Sequence, residues 1–231
     1  MSSPDRGRPT GRHHLKVRLK TAKQRTASSQ RWLERQLNDP YVAAAQREGY
    51  RSRSAYKLIE IDDKYHLLRP GRRVVDLGAA PGGWSQVAAE RVRSLEGRGQ
   101  VVAIDLLAMA PLPGVVFLEG DFMAPTAPAR LKALLRDEGA DVVLSDMAAQ
   151  GTGHSRTDHL RIMGLAEAAA EFAIEVLAPS GALVCKMFQG GSERALLDRL
   201  KKAFASVRHV KPPASRAESA ELYLIATQFR A

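Results

Sequence analysis

Four carboxylates and one lysine stand where short apolar runs of the sequence end. The set comprises Asp76, Asp105, Asp121, Asp146 and Lys186. A single aspartate after a strand often does no more than cap the following helix. Several such groups at one edge of a sheet each need a partner, because an unpaired buried charge is costly. Together they favour a ligand that is rich in hydroxyl and amino donors.

A glycine-rich turn follows the first of these apolar runs. Residues 76–85 read Asp-Leu-Gly-Ala-Ala-Pro-Gly-Gly-Trp-Ser. Glycine lets the backbone approach a ligand closely. The turn is not a P-loop, since no Lys-Ser/Thr pair follows, and it lacks the G-x-G-x-x-G spacing. Asp105 sits where a carboxylate accepts bonds from ribose hydroxyls. The turn and Asp105 together predict an adenosine-type cofactor without a pyrophosphate, which disfavours a NAD-dependent dehydrogenase.

Alternating strands and helices must position these side chains. Strands are predicted over residues 74–77, 101–105, 115–118, 141–146, 182–187, 207–211 and 222–227. Helices are predicted over residues 29–37, 41–48, 52–68, 83–93, 131–137, 157–177 and 192–204. This alternation predicts a doubly wound α/β domain, with helices on both faces of a mostly parallel seven-stranded sheet. Ligands bind such sheets outside the carboxyl ends of the strands.

The basic charge of the chain is concentrated at its start. The 231 residues carry 35 Lys and Arg against 25 Asp and Glu, a formal net charge of +10. Residues 1–36 hold ten of the bases and two of the acids, which leaves +2 for the remainder. Residues 1–28 show no apolar period and are predicted to be a disordered arm ahead of one domain over residues 29–231. Such an arm is typical of a protein that binds RNA or another polyanion, and a solubilising tail is the alternative.

Composition and pattern exclude several other classes of protein. No apolar run approaches the roughly 20 residues that span a bilayer, and no secretory signal opens the chain. The one cysteine, Cys185, excludes an internal disulfide and is expected to be a small core residue. His154 and His159 lack the partners of a metal site, so no metal is expected. We therefore predict a cytoplasmic monomer without a membrane or DNA partner.

Five separated motifs resemble those of the FtsJ/RrmJ family of S-adenosylmethionine-dependent RNA 2′-O-ribose methyltransferases. They are the turn at 76–85, Asp105-Leu106-Leu107, Gly120-Asp121-Phe122, Ser145-Asp146-Met147-Ala148 and Lys186-x-Phe188-Gln189-Gly190. Residues 51–58 and 215–223 also fit, so the resemblance extends from about Gln30 to the end of the chain. It implies a Rossmann-like class I methyltransferase fold for residues 29–231, with S-adenosyl-L-methionine as the cofactor.

The resemblance also implies a role for each matching residue. The family's catalytic tetrad, Lys-Asp-Lys-Glu, falls on Lys57, Asp146, Lys186 and Glu221. Cofactor contacts are expected from Gly82, Trp84, Asp105, Asp121 and Asp146. Lys186 is expected to be the general base, oriented by Asp146, while Glu221 holds Lys57. An ordinary salt bridge between Lys186 and Glu221 is the alternative interpretation.

The predicted function follows from the group within the family that the motifs match best. That group implies 2′-O-methylation of a uridine in large-subunit (23S) ribosomal RNA, in support of ribosome assembly, with ribosomal RNA within the large subunit as the partner. The same chemistry on transfer RNA or another RNA, and a catalytically silent RNA-binding assembly factor, are the alternatives; the intact tetrad speaks against the latter. The chain departs from the family at residues 149–153, where Ala-Gln-Gly-Thr-Gly replaces the common Pro-Asn-x-Ser-Gly.

Overall fold

The structure of the chain is a computed structural model. The model describes residues 30, 33–34, 36–135, 138–149, 153–188 and 193–230. The arm predicted over residues 1–28 and its boundary with the domain lie outside these residues, as do positions 150–152 of the loop that departs from the family. The helix predicted over 29–37 is described only in part, and its described positions are helical.

Seven strands form one sheet, in agreement with the predicted fold class. They are β1 (Arg73–Leu77), β2 (Gln100–Asp105), β3 (Val115–Glu119), β4 (Ala140–Ser145), β5 (Leu177–Phe188), β6 (Phe204–Val210) and β7 (Glu221–Phe229). Their order across the sheet is β3-β2-β1-β4-β5-β7-β6. β7 runs antiparallel to both of its neighbours, and the other neighbouring pairs are parallel. The mostly parallel sheet is therefore confirmed.

Helices cover both faces of the sheet. They are α1 (Pro40–Glu48), α2 (Ala55–Tyr65), α3 (Gly83–Val92), α4 (Ala127–Leu134), α5 (Ser155–Val176) and α6 (Arg194–Ala203), with a short 3₁₀ turn at Ser94–Glu96. α2 and α3 pack their apolar residues against one face. α4, α5 and α6 pack against the other face, so that a core lies on each side of the sheet. This arrangement is the doubly wound architecture that the alternating pattern predicted.

Helix α2 ends earlier than predicted. The predicted helix extended to Leu68, whereas α2 ends at Tyr65 because His66 adopts a left-handed backbone conformation with φ of 52°. The Asp62 carboxylate then accepts a hydrogen bond from the Leu68 amide at 2.7 Å. This bond replaces a helical partner and turns the apolar end of the segment into the core.

Strand β5 begins earlier than predicted. A helix was expected to reach Leu177 and the strand to begin at Ala182, but β5 already pairs at Leu177, opposite Ala140 of β4. The register shifts between Ala140 and Val142, so that the ladder is irregular where β5 begins. The Pro-Ser-Gly segment was expected to end the helix, and it lies instead within this irregular start of the strand, since proline and glycine disturb a regular ladder.

The strand order reverses between β1 and β4. From β1 the chain proceeds outward to β2 and β3, and it then crosses to β4 on the other side of β1. A crevice at the carboxyl ends of the strands forms at such a switch point. Asp76 lies in β1, Asp105 ends β2 and Asp146 follows β4, so these carboxylates border this crevice.

No helix within the described ranges is both long enough and apolar enough to cross a membrane.

Candidate active site

Two glycines shape the turn that connects β1 to α3. Gly78 and Gly82 have φ angles of 76° and 112°, which side chains rarely tolerate. A Cβ at Gly78 would lie 2.7 Å from Met147 Cγ, and a Cβ at Gly82 would lie 2.9 Å from Met109 Sδ. At Gly78 a side chain would also meet the Met147 backbone, and at Gly82 the positive φ itself strains a side chain, so both positions favour a bare backbone that a ligand can approach.

Two aspartates beside this turn are held by backbone amides. Asp105 accepts the Leu107 amide on Oδ1 and the Ala80 amide on Oδ2, both at 2.8 Å. Asp121 accepts the Met123 amide on Oδ1 at 2.8 Å. Each bond fixes the orientation of a carboxylate, and each oxygen keeps a further lone pair for another donor. Both groups are thus preorganised acceptors for hydroxyl or amino groups.

Asp76 is a fully buried carboxyl at the centre of the crevice. Its Oδ2 accepts a 2.6 Å hydrogen bond from Ser85 Oγ. Its Oδ1 has no hydrogen-bond partner among the described residues. Burial raises the pKa of Asp76 to about 7, and the nearby Asp146 and Asp105 carboxylates add to this rise while the Ser85 bond opposes it. An unpartnered buried oxygen here suits a donor from a ligand or from its bound water.

Lys186 and Tyr223 meet at Asp146. The two residues are register partners on the antiparallel strands β5 and β7, so their side chains leave the sheet on the same face. Lys186 Nζ donates to the Asp146 carbonyl oxygen at 2.6 Å and to Asp146 Oδ1 at 3.0 Å. Tyr223 donates its hydroxyl proton to the same Oδ1 at 2.7 Å. The carboxylate therefore links a cation to a phenol.

Lys57 extends this network from α2. Its Nζ donates to Glu221 Oε1 at 2.6 Å and to the Tyr223 hydroxyl at 3.1 Å. The side chains of Lys57 and Glu221 are each 13% exposed, so the ion pair is largely shielded from water. Ser215 Oγ also donates to Glu221 Oε1, at 2.9 Å. One continuous hydrogen-bonded chain, here called the catalytic network, comprises Lys186, Asp146, Tyr223, Lys57 and Glu221.

The charges of this network balance, since it holds two lysines and two carboxylates. Burial on its own would raise the pKa of the Asp146 carboxyl, but the Lys186 and Lys57 ammonium groups and the bond from Tyr223 hold that pKa below its usual range. Asp146 is therefore a permanent anion at neutral pH. It can balance positive charge on Lys186 and orient the ammonium group by accepting its hydrogen bonds.

The structure brings the four predicted catalytic residues into one network. Lys186 pairs with Asp146, and Lys57 pairs with Glu221, which are the contacts that the sequence predicted. The alternative salt bridge between Lys186 and Glu221 is wrong, because each of these residues has a different partner. That the network performs catalysis stays a prediction.

Tyr223 ends the segment 215–223, which fits the family, but no role was predicted for it. It lies in an apolar strand and is completely buried, so it looked like an ordinary core residue. Burial and the Asp146 and Glu221 carboxylates raise its pKa, which keeps the hydroxyl protonated as a donor. Its spacing of two from Glu221 was the available signal, because residues i and i+2 share one face of a strand.

Two further residues that the sequence singled out lie in the core. The Trp84 indole is buried rather than open to the crevice, so that its contact with a cofactor would come from its backbone. Cys185 is buried on the face opposite Lys186, as expected of a small core residue. Across the part of the chain that is described, no cluster of three His, Cys, Asp or Glu side chains could hold a metal ion.

Comparisons with known proteins agree with this geometry. The family model of FtsJ-like methyltransferases matches residues 50–229. A "Ribosomal RNA large subunit methyltransferase E" from Azorhizobium caulinodans is 63% identical over 216 residues, which cover 94% of this chain and 90% of the relative. A protein of the same name from Xanthobacter autotrophicus is 62% identical over 230 residues, which cover 100% of this chain and 89% of the relative.

A solved structure is also similar to this chain. A crystal structure described as that of a ribosomal RNA methyltransferase from Plasmodium falciparum superposes with a TM-score of 0.69 and 33% identity, covering 78% of this chain and 98% of that one. The extent of these matches, together with the turn, the aspartates and the network, establishes the relationship. The chain therefore belongs to the FtsJ-like methyltransferase family.

Proposed function

We propose that this protein is an S-adenosylmethionine-dependent methyltransferase that modifies the 2′-hydroxyl of a uridine in large-subunit (23S) ribosomal RNA. The observation that carries the proposal is the catalytic network, which lies beside the glycine turn at the carboxyl ends of the strands. The names of relatives that are 63% and 62% identical support ribosomal RNA as the substrate.

The crevice suits S-adenosylmethionine as the methyl donor. We assign the ribose hydroxyls to Asp105 and the adenine amino group to Asp121, because both carboxylates are oriented and keep spare lone pairs. The backbone at Gly82 and Trp84 and the Asp146 carboxylate would contact the rest of the cofactor. The unpartnered oxygen of Asp76 supports a ligand rich in donors at this place. When bound, the cofactor supplies an electrophilic methyl group on a sulfonium sulfur.

Lys186 is the proposed general base. A ribose hydroxyl is a weak nucleophile until its proton is leaving, so a positioned acceptor is required. Lys186 would first release one ammonium proton to water, and its free amine then takes the proton from the hydroxyl oxygen as that oxygen attacks. Asp146 holds Nζ at 2.6 and 3.0 Å through two of its oxygens and balances the charge that Lys186 gains. Glu221 neutralises Lys57, which lies within the same network.

The basic arm of residues 1–28 is proposed to attract RNA. Most of the net charge of the chain lies in its first 36 residues. Lysine and arginine there would neutralise phosphates without regard to base sequence. We propose that this contact brings ribosomal RNA to a domain whose residues 37–231 carry a net charge of only +2, and that the protein acts as a monomer on the large subunit in the cytoplasm.

A mapping experiment tests the proposed function. The full-length protein is incubated with labelled S-adenosylmethionine and, in parallel, with free 23S RNA, isolated large subunits or transfer RNA, and the modified position is mapped. We expect label on one uridine 2′-oxygen of 23S RNA, in the free RNA, in the subunit or in both. Label that appears on transfer RNA alone would support the alternative substrate, and label on no RNA would contradict an enzymatic role.

A further inference from the structure

Trp84 belongs to the glycine turn, but its indole lies beneath the catalytic network. Its side chain is 2% exposed and packs with the apolar residues of α2, α3 and the central strands. The backbone of Trp84 can face a cofactor while its indole does not, because the ring is directed into this core. The side chain therefore has a role that cofactor binding does not explain.

The first contact of the indole is with the start of α2. Its Nε1 donates to the Ser54 carbonyl oxygen at 2.9 Å. The same carbonyl accepts the Lys57 backbone amide at 3.0 Å. The indole thus holds the first helical turn, from which the Lys57 side chain extends to Glu221 and Tyr223.

The second contact is with the ring of Tyr223. The Trp84 and Tyr223 ring centroids lie 5.5 Å apart with an interplanar angle of 37°. The Tyr223 hydroxyl joins Lys57 to Asp146 within the network. Lys57 Nζ also lies 5.6 Å from the centroid of the Tyr223 ring. One indole therefore supports both groups that connect α2 to the carboxylate of Asp146.

Close packing makes this support rigid. A Cβ at Gly83, the neighbour of Trp84, would lie 2.2 Å from Ser52 Oγ, so the start of α3 is pressed against the start of α2. This close packing leaves Trp84 little room to move independently of Lys57. The cofactor turn and the helix that carries Lys57 are joined at this point.

We propose that Trp84 is a positioning residue, whose indole holds the first turn of α2 and the Tyr223 ring so that Lys57 and the Tyr223 hydroxyl meet Asp146. The inference rests on the proposed function, in which this network transfers a proton. Core filling alone would need only an apolar ring. The N–H donor and the partner ring together make a directional support, and its loss would misplace groups rather than merely loosen the fold.

Two substitutions separate the contacts of the indole. Trp84→Phe keeps a ring beside Tyr223 and removes the N–H donor, whereas Trp84→Leu removes both. At saturating cofactor, we expect kcat to fall by about tenfold in Trp84→Leu and by less in Trp84→Phe, because a displacement near 1 Å can cost far more than its stability effect suggests. Cofactor affinity, measured by calorimetry, should be unchanged in both variants because the backbone contacts remain.

Phe204→Leu is the matched control. Phe204 is a buried aromatic whose ring lies 5.2 Å from that of Phe229, at the other end of β7 from the network. This variant should lose stability and keep the wild-type kcat per folded molecule. If Trp84→Leu likewise loses only stability, or weakens cofactor binding while kcat at saturation stays normal, the positioning role is overturned.

A double-mutant cycle tests whether Trp84 acts through Tyr223. In a Tyr223→Phe background, Trp84→Leu should lower kcat by a smaller factor than in the wild type. The Tyr223 hydroxyl, through which part of the effect of Trp84 passes, is already absent from that background. If Trp84→Leu lowers kcat by the same factor in both backgrounds, Trp84 does not act through the Tyr223 hydroxyl.

Amide hydrogen exchange provides a readout that needs no activity. The Lys57 amide should exchange faster in both Trp84 variants and at the wild-type rate in Phe204→Leu. A wild-type protein that methylates no RNA would refute the proposed function, and the exchange of Lys57 would still decide whether the indole holds its helical turn. Unchanged exchange in Trp84→Leu would overturn the inference.

Discussion

The two sides of the crevice are built in different ways. On the cofactor side, Asp105 and Asp121 are each held by backbone amides close to them in space and mostly close in sequence. On the catalytic side, the side chains of Lys57, Asp146 and Lys186 are held mainly by other polar side chains. A backbone scaffold suits binding, because it presents fixed acceptors. A network of ionisable groups suits proton transfer, because a charge that changes on one group is stabilised by its hydrogen-bonded neighbours.

This difference predicts that changes on the catalytic side lower the rate and that changes on the cofactor side lower the affinity. The largest effect is expected at Lys186. Lys186→Ala should reduce kcat by about 10²–10⁴-fold, the usual contribution of a general base, and leave cofactor and RNA affinities intact. Lys132→Ala, which removes a partly exposed lysine of α4 that pairs with Glu175, is the control and should be active. Equal rates in Lys186→Ala and wild type would remove the distinction between the two sides.

The next effect is expected at Asp105. Asp105→Ala removes a charged acceptor, which costs about 1.5–3 kcal/mol, or roughly ten- to a hundredfold in cofactor affinity measured by calorimetry. Glu119→Ala removes an exposed carboxylate at the end of the neighbouring strand and should bind normally. An Asp105→Ala variant with wild-type affinity would show that the ribose is bound elsewhere.

Asp76 lies between the two sides of the crevice, and its titration should make the free energy of unfolding depend on pH. Its pKa of about 7 lies above the ordinary value of 3.8, so the folded protein binds this proton more tightly than the unfolded chain. The free energy of unfolding should then fall as the pH rises from about 4 to about 7, by at most about 1.4 kcal/mol per pH unit. Urea unfolding at pH 5.5 and 6.5 should show this slope in the wild type and a smaller one in Asp76→Asn. Identical slopes in the two proteins would contradict the assignment.

The smallest effect is expected from substitutions in the arm, which should change RNA affinity and leave both sides of the crevice unaffected. Replacing Lys16 and Arg18 by alanine should reduce the slope of log affinity for RNA against log salt by about 1.4, if each contacts a phosphate of single-stranded RNA. Cofactor affinity and kcat at saturating RNA should be unchanged. The control replaces Lys201 and Lys202, which are exposed on α6. If the Lys16 and Arg18 replacement leaves the salt dependence of RNA affinity unchanged, the arm does not contact RNA and is a solubilising tail.

The cofactor side could be predicted from the sequence because its determinants are local. A glycine turn after a strand and an acid at the end of the next strand are patterns within short segments, and the structure places them at the switch point of the sheet. The seven strands were predictable for the same reason. Their exact ends were not, because the irregular start of β5 depends on its pairing with β4.

The catalytic side could not be derived from local pattern. Lys57 and Glu221 were assigned through the family resemblance, since residues so far apart meet only when α2 and β7 have packed. Tyr223 ends a segment that fits the family, but no role was predicted for it, because a tyrosine in an apolar strand resembles a core residue and its contact with Asp146 depends on the pairing of β5 with β7. Non-local contacts of this kind leave no periodic signal in a sequence.

Methyl transfer by Lys186→Arg distinguishes a general base at Lys186 from a merely structural cation. Arginine keeps the positive charge and the capacity to pair with Asp146, but its guanidinium stays protonated and cannot accept the proton of a ribose hydroxyl. With 23S RNA and cofactor both saturating, we expect a folded variant that binds both ligands and transfers almost no methyl in a single turnover. A folded Lys186→Arg variant with near-normal transfer would contradict a base at Lys186, even though the protein would remain a methyltransferase.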